Sequence, residues 1–297
     1  MKRDIATVVI AAKAGRLGNR LFLSAYFIAN ALAYGYRLFN PALGEYAELF
    51  EGSASDPLCR FPQQGDSLDV EIASQIREVA FNLSSLVSVL GIPKIGLLDI
   101  RRTHDAEEEA FDLNGEAFEQ ALQSNRYLFV KGWKFRDDQN LLRFHSEITE
   151  YFTPVFSVRH PAEQKIAAAR AQGDLIIGVH IRQGDYREWK NGVHYFETSQ
   201  YAHWMRELVG LFPDKKVVFV VCASDLIDRS EFHGLEFLDG LGTVATDLHT
   251  LALCDLIMGP PSTFSTWASY WGRVPLCMLQ HHRQEVAAAD FVLHDRV

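Results

Sequence analysis

The densest cluster of polar and charged side chains bordering an apolar stretch is His180-Ile181-Arg182-Gln183-Gly184-Asp185-Tyr186. It sets a histidine, an arginine and a carboxylate at the end of the apolar run Leu175 to Ile181, where burial ordinarily excludes charge. Alternate residues of an extended chain share a face, so His180 and Arg182 are expected to project together, and Gly184 permits a sharp turn. A guanidinium there can grip a diphosphate with a planar fork of donors, while Asp185 holds it or another group of the loop. The same residues could instead form a structural ion pair that closes the strand end, and local chemistry leaves both readings open.

A second group comprises Asp247 and, fifteen residues on, Ser262-Thr263-Phe264-Ser265. Ser262 or Thr263 could cap a following helix, whose free N–H groups and dipole form an anion site when a phosphate is present. The alternative is a cap and nothing more. Asp247 likewise reads either as a cap or as a carboxylate that accepts from guanine N1–H and the exocyclic amine. A third group, Gly15-Arg16-Leu17-Gly18-Asn19, follows the apolar run Val8 to Ala12 and precedes a helical pattern.

These groups need elements to carry them. Val8 to Ala12 reads as a strand, and Leu21, Phe22, Ala25, Tyr26, Ile28, Ala29 and Leu32 recur at near-helical spacing. Ala42 to Asp69 reads mostly as loop, Tyr127 to Val130 as a strand, and Lys134 to Asn140 as a polar loop. A second unit is expected after Pro154: a helix from Pro161 to Ala171, the strand Leu175 to Ile181, and further strand and helix alternations. These include strands at Val217 to Val221, Leu256 to Met258 and Val274 to Leu279, and helices at Leu248 to Cys254 and Phe264 to Trp271. Apolar strands alternating with helices imply parallel sheets covered by helices, in an α/β fold of two Rossmann-like domains, 1–155 and 156–297. Ligands of such sheets bind outside the carboxyl ends of the strands, where all three groups fall.

The composition sets limits. The 297 residues carry a formal net charge of −9, which argues against general electrostatic binding of nucleic acid, so a phosphate site must be built locally. No stretch approaches the roughly 20 apolar residues of a membrane span, so the chain is expected to be soluble or at most to sit on a membrane surface. Cys59, Cys222, Cys254 and Cys277 are widely spaced in mostly apolar segments and read as reduced core residues of a cytoplasmic protein. Gly15 and Gly18 lack the GxGxxG pattern of dinucleotide folds, and there is no GxxxxGK[ST]. His281-His282 has no carboxylate or cysteine at ligand spacing and reads as a solvated pair. Asp-x-Asp, a diphosphate-metal handle, does not occur, and no metal is expected. Trp267, Tyr270 and Trp271 read as packing residues.

Together the three groups resemble the inverting fucosyltransferase superfamily, which includes α1,2-, α1,6- and protein O-fucosyltransferases. The style of the motifs is most similar to bacterial α1,2-fucosyltransferase-like and Nod-factor fucosyltransferase-like proteins. The strand motif His-x-Arg-x-Gly-Asp is matched by His180, Arg182, Gly184 and Asp185, and the downstream segment by Asp247, Leu251, Asp255 and Ser262 to Ser265. Gly15-Arg16-Leu17-Gly18-Asn19 is similar to the glycine-rich loop of the α1,2 and protein O-fucosyl enzymes. The resemblance implies a GT-B type fold with the two domains facing a cleft and the donor held by the C-terminal one. The implied activity is metal-independent transfer of fucose from GDP-fucose to a hydroxyl of a glycan or other acceptor, with no further cofactor. Transfer of another GDP-sugar and a catalytically silent nucleotide- or glycan-binding protein are the alternatives.

Carried over by motif, Arg182 binds the β-phosphate, Asp247 with His180 faces the guanosine, and Ser262, Thr263, Phe264 and Ser265 complete the diphosphate cradle. On the acceptor side the resemblance implies a substrate-binding loop of Gly15, Arg16 and Gly18, with Asn19 as a catalytic residue near where donor and acceptor meet. Glu188, ahead of Asp185, is the expected base. Gln183 stands where many α1,2 and α1,6 enzymes carry a second arginine, and Tyr186 to Tyr195 departs from the eukaryotic pattern, so linkage and acceptor stay open. The sequence leaves the oligomeric state undetermined.

Overall fold

The computed structural model describes residues 5–65, 67–90, 95–99, 110–294 and 296. The chain divides into two compact units, 1–155 and 156–297. In the first, β1 (Thr7–Ile10) runs into α1 (Leu17–Tyr34), followed by β2 (Arg37–Phe39), a 3-10 segment Pro41–Leu49, and α2 (Val70–Val87). Then come β3 (Ile95–Asp99), β4 (Phe111–Asp112), α3 (Glu116–Ser124), β5 (Tyr127–Lys131), β6 (Phe135–Arg136), α4 (Asp138–Arg143) and α5 (His145–Tyr151). The main sheet has the order β2-β1-β5-β3, and all its pairings are parallel. Val9, Ala11 and Phe129 form a small core beneath it with Phe39, Val87 and Ile95.

The polar run Lys134 to Asn140, expected as a loop, instead carries β6 and the start of α4. Phe135 is wholly buried against Phe27 and Phe111, and Asp137 caps the helix by accepting from the Asn140 N–H at 3.1 Å. Capping chemistry and one aromatic anchor outweigh the polar composition. From Ala42 to Asp69 the described residues form only the 3-10 segment, turns and isolated bridges at Phe50 and Phe61, yet Ala42, Leu43, Ala47, Ser53 and Asp56 are buried. One side chain organises it: Arg77 of α2, fully buried, donates from Nη2 to the carbonyls of Ser53, Ala54 and Asp56 at 3.1–3.2 Å.

The second unit runs α6 (Phe156–Arg170), β7 (Leu175–Ile181), α7 (Thr198–Leu211), β8 (Val217–Ala223), β9 (Phe237–Asp239), α8 (Val244–Ala252), β10 (Leu256–Gly259), α9 (Thr263–Gly272) and β11 (Leu276–Met278). Its parallel sheet has the order β11-β10-β7-β8-β9, so β7 is central. All seven residues of β7 are buried. Ile177, Val179 and Ile181 join Tyr201, Trp204, Met205 and Leu208 of α7 in the main core. On the other face a Cβ at Gly178 would lie 2.6 Å from Leu251 and 3.0 Å from the Cys254 sulfur, so only glycine lets α8 approach this closely. Trp267 and Tyr270 are buried, and Trp271 packs edge-on against His249. All four cysteines are buried and unpaired.

The start of β7 is fixed by Asp255, which accepts from the Ile176 N–H at 2.8 Å and forms a two-contact pair with Arg170 at 2.8 and 3.2 Å. This aspartate of the downstream motif therefore holds the end of β7 opposite to the His180–Arg182 end.

Arg77→Met is expected to lower the stability of the N-terminal unit by about 3 kcal/mol or more, since three buried carbonyls lose their shared donor. Urea unfolding followed by fluorescence would measure it. A loss below about 1 kcal/mol would show that the 53–56 segment is held by other contacts.

Candidate active site

At the C-terminal end of the second sheet, the segments following β7, β8 and β10 are tied together. Arg182, just past β7, donates from Nε and Nη2 to the two carboxylate oxygens of Asp185 at 3.2 and 2.9 Å. Its guanidinium also lies 4.9 Å from the centre of the Tyr186 ring. The paired hydrogens leave Nη1 and one Nη2 hydrogen for a further acceptor. Tyr186 donates its hydroxyl to the Pro261 carbonyl at 2.6 Å, linking the turn after β7 to the one after β10. Asp225, beyond β8, accepts from the Gly184 N–H at 2.9 Å and from the Ser224 hydroxyl at 2.7 Å. A side chain at Gly184 would meet that carboxylate at 3.1 Å.

His180 is buried, and its ring lies 4.9 Å from that of Phe264. Burial, reinforced by the nearby Arg182 charge, pulls its pKa down to about 3. An imidazole at the end of a fully buried strand is therefore neutral at physiological pH. Its Nδ1 is buried without a hydrogen-bond partner among the described residues. The close approach of β10 depends on Gly259, where a Cβ would lie 2.9 Å from His180 Cβ and 3.0 Å from its carbonyl oxygen.

Ser262 caps α9, with Oγ accepting from the Phe264 N–H at 3.2 Å. Ser265 is wholly buried, and its hydroxyl donates to the Ser262 carbonyl at 3.2 Å, so its side chain serves the first turn of the helix. Phe264 packs on His180, and Thr263 is the first residue of α9. What this segment turns toward the end of the sheet is a capped helix N-terminus, a site of partial positive charge.

Asp247 sits in the first turn of α8. Its Oδ1 accepts from the N–H groups of Leu241 at 2.6 Å and Gly242 at 3.2 Å, closing the loop after β9. Desolvation raises the carboxyl pKa above its ordinary value, against the lowering effect of these two N–H bonds. The Cys222 thiol, at the end of β8, contacts the Asp247 carbonyl at 3.9 Å.

Glu188 ends the 3-10 turn Gly184–Arg187 and is exposed, with no side-chain hydrogen bond among the described residues. The Trp189 ring lies tilted against Tyr186 with centroids 4.8 Å apart, and His194 lies tilted against Trp189 at 5.6 Å. Between them Lys190 and Asn191 are left-handed, with φ of 48° and 58°, a strained backbone for residues with a Cβ. Gln183 turns away from this group and donates to the Phe196 carbonyl at 3.0 Å.

In the N-terminal unit, Gly15 is left-handed, with φ of 59°, and a Cβ there would meet Asn19 Nδ2. Arg16 is the N-cap residue of α1, which Leu17 and Gly18 begin. Arg20 fastens the loop, donating to the carbonyls of Gly15 and Leu43 at 3.2 Å each and to Glu45 at 3.1 Å.

The structure thus brings His180, Arg182, Asp185, Ser262, Thr263 and Phe264 to one end of one sheet, with Asp247, in the first turn of α8, bonded to the loop at the same end. Gly15, Arg16, Gly18 and Asn19 lie in the other unit. Sequence reasoning missed Tyr186 and Asp225. The rule that places ligands at the carboxyl ends of parallel strands would have flagged Ser224-Asp225 after β8, but no local pattern marks Tyr186 as the link to Pro261. Among the described residues no group of His, Cys, Asp and Glu could hold a metal ion.

No protein-family profile and no curated protein matches the sequence. Among solved structures, the chain is similar to a point mutant of Arabidopsis thaliana FUT1 in complex with GDP. The identity is 13% and the TM-score 0.58, over 97% of this chain and 72% of that one. It is similar to fucosyltransferase NodZ from Bradyrhizobium at 16% identity and a TM-score of 0.55, over 93% and 94% of the two chains. POFUT1 in complex with GDP-fucose aligns over 96% of both chains at 13% identity and a TM-score of 0.52. The class of fold is therefore the α/β, parallel-sheet fold of the GT-B fucosyltransferases.

Asp247 allows a test of its two features. Asparagine keeps an oxygen for the Leu241 and Gly242 N–H groups and removes the charge whose desolvation raises the pKa, so Asp247→Asn is expected to fold with unchanged or higher stability. Asp247→Ala leaves both N–H groups without their acceptor and is expected to cost about 1–3 kcal/mol. Urea unfolding at pH 7 would compare them, and an asparagine variant as unstable as the alanine one would refute the capping role of Oδ1.

Proposed function

We propose that this chain is an inverting, metal-independent glycosyltransferase that moves fucose from GDP-fucose to a hydroxyl of a glycan or other acceptor. The observation that carries the reading is Arg182, held by Asp185 and Tyr186 beside a capped helix N-terminus at the carboxyl end of a parallel sheet. Support comes from the fold, which is similar to that of POFUT1 in complex with GDP-fucose and of FUT1 in complex with GDP.

The unit 156–297 is the donor unit. The unpaired hydrogens of Arg182 and the N–H groups opening α9 receive the diphosphate, and Asp247 receives guanine N1–H and the exocyclic amine. Neutral His180 with Phe264 forms the apolar wall beside the guanosine. As the acceptor oxygen attacks the anomeric carbon, the bond to the β-phosphate oxygen breaks on the opposite side and GDP departs with the electron pair. Negative charge then grows on the β-phosphate, where the preorganised Arg182 stabilises it. The two-contact pair fixes the guanidinium plane before the donor arrives, so little reorganisation is left for the reaction itself.

Asp185 is committed to Arg182, so Glu188, exposed at the end of the same turn, is the better candidate to take the acceptor proton. The unit 1–155 is the acceptor unit, with Gly15, Arg16, Gly18 and Asn19 as its loop. The four buried, unpaired cysteines support a cytoplasmic setting.

Arg182→Ala and Arg182→Lys test this reading. Loss of one preorganised donor typically lowers turnover by about 10²–10³-fold, and lysine, which keeps the charge but not the planar fork, should recover little of it. Single-turnover transfer from GDP-fucose and the melting temperature should be measured on the same preparations. A folded alanine variant with near-normal transfer would contradict the proposal.

A further inference from the structure

Helix α2 is amphipathic in the reverse of the usual sense. Its inward positions are Ala73, Arg77 and Ser84, all buried, with Ala80 and Phe81 half-buried beside them. Its outward face carries Ile72, Ile76, Val79, Leu83 and Leu86, continued by Leu90 just past the helix end, and these six are 42–58% exposed. A surface helix normally turns such a stripe inward. The interior here is instead served by Arg77, whose hydrogen bonds hold the 53–56 segment, and the outward apolar residues leave about half of their surface to solvent.

The spacing identifies the missing partner. Residues 72, 76, 79, 83, 86 and 90 are separated by four, three, four, three and four positions, the a/d seam of a helix that packs against another helix. The first three are β-branched and the last three are leucines. In an antiparallel pairing of two copies, Ile72 lies opposite Leu90 of the second copy, Ile76 opposite Leu86 and Val79 opposite Leu83. Every layer then joins one β-branched side chain to one leucine.

Charge selects the same arrangement. Asp69, Glu71 and Glu78 lie in the first half, and no charged residue occurs from Val79 to Leu90. A parallel pair would set the acidic halves side by side. An antiparallel pair sets each against an uncharged half and opposes the helix dipoles. The one cation of α2, Arg77, is buried, whereas helices that lie on membranes present lysine and arginine on the polar face. Leu68 and Val89 are also exposed and flank the seam. Eight aliphatic side chains, each roughly half exposed, present on the order of 500 Å² per copy, so a pair buries about 1,000 Å², the lower bound for a specific interface.

We propose that the outward face of α2 is a self-association surface through which two copies of this chain form a two-fold dimer, with their α2 helices antiparallel. The inference is independent of the proposed reaction.

Sedimentation of the full chain at about 1–100 μM should give a dimer, a range in which an interface of this size is measurable. The double variant Ile76→Glu, Leu83→Glu should be a monomer with the circular dichroism and melting temperature of a folded chain. Because the native cysteines are all buried, Asn82→Cys supplies one exposed thiol beside the two-fold axis. Mild oxidation should link it into a covalent dimer, and Glu78→Cys, farther from the seam, should link far less. A monomeric wild type overturns the proposal, whether it stays free or binds phosphatidylcholine vesicles through this face. So does a dimer that survives both glutamates, or a double variant that unfolds, since the face would then be covered within its own chain.

Discussion

The constraint on which the second unit rests is the burial of β7. A central strand covered on both faces cannot carry charge along its length, so its first charged side chain emerges only where the sheet ends, at Arg182. The same burial keeps His180 neutral two residues earlier. A cation at the mouth of a sheet, with a neutral ring behind it, is an arrangement that favours an anion over a metal ion or a second cation. Asp255 contributes from the far end: by pairing with Arg170 and capping the Ile176 N–H it fixes where β7 begins, and hence which residue emerges at the other end.

The surrounding loops are each held by side-chain hydrogen bonds. Tyr186 joins the turn after β7 to the turn after β10, Asp225 joins the former to the segment after β8, and Asp247 closes the loop after β9. Each link uses a side chain to hold a backbone group of another loop, or of its own, so the loops need few apolar contacts of their own. Preorganisation of this kind is what electrostatic stabilisation of a departing phosphate requires, since donors that had to reorient would spend the stabilisation they offer. The glycines serve the same end. Gly178 admits α8 and Gly259 admits the backbone of His180, and together they draw β7, β10 and α8 close enough for the end residues to meet.

Much of the second unit was legible because buried parallel strands are continuous apolar runs. Leu175 to Ile181 was read with the bounds that β7 has, and β10 and α9 to within a residue. The first unit was harder. Its strands β2 and β3 are short and partly exposed, so they lack the runs that mark a buried strand, and β6 lies in a polar stretch whose single anchor is Phe135. The segment from Ala42 to Asp69 reads as loop because its organiser, Arg77, lies outside it. In the candidate site, residue types and spacing pointed to Arg182, Asp247 and Ser262, but burial decided the states of His180 and Ser265, and burial is set by neighbours distant in sequence. Tyr186 has no local signature, since its partner, Pro261, is seventy-five residues away.

Amide hydrogen exchange of the full chain with and without GDP would locate the nucleotide on the protein. GDP should slow exchange in three separate segments of the second unit, Arg182 to Arg187, Leu241 to Asp247 and Thr263 to Thr266. Those amides border the proposed β-phosphate, guanine and helix N-terminal contacts, and a ligand that binds only the folded form suppresses their opening. UDP should leave Leu241 to Asp247 unprotected. Protection confined to Gly15 to Arg20, or no protection at the end of β7 under saturating GDP, would contradict the assignment of this sheet end as the nucleotide site.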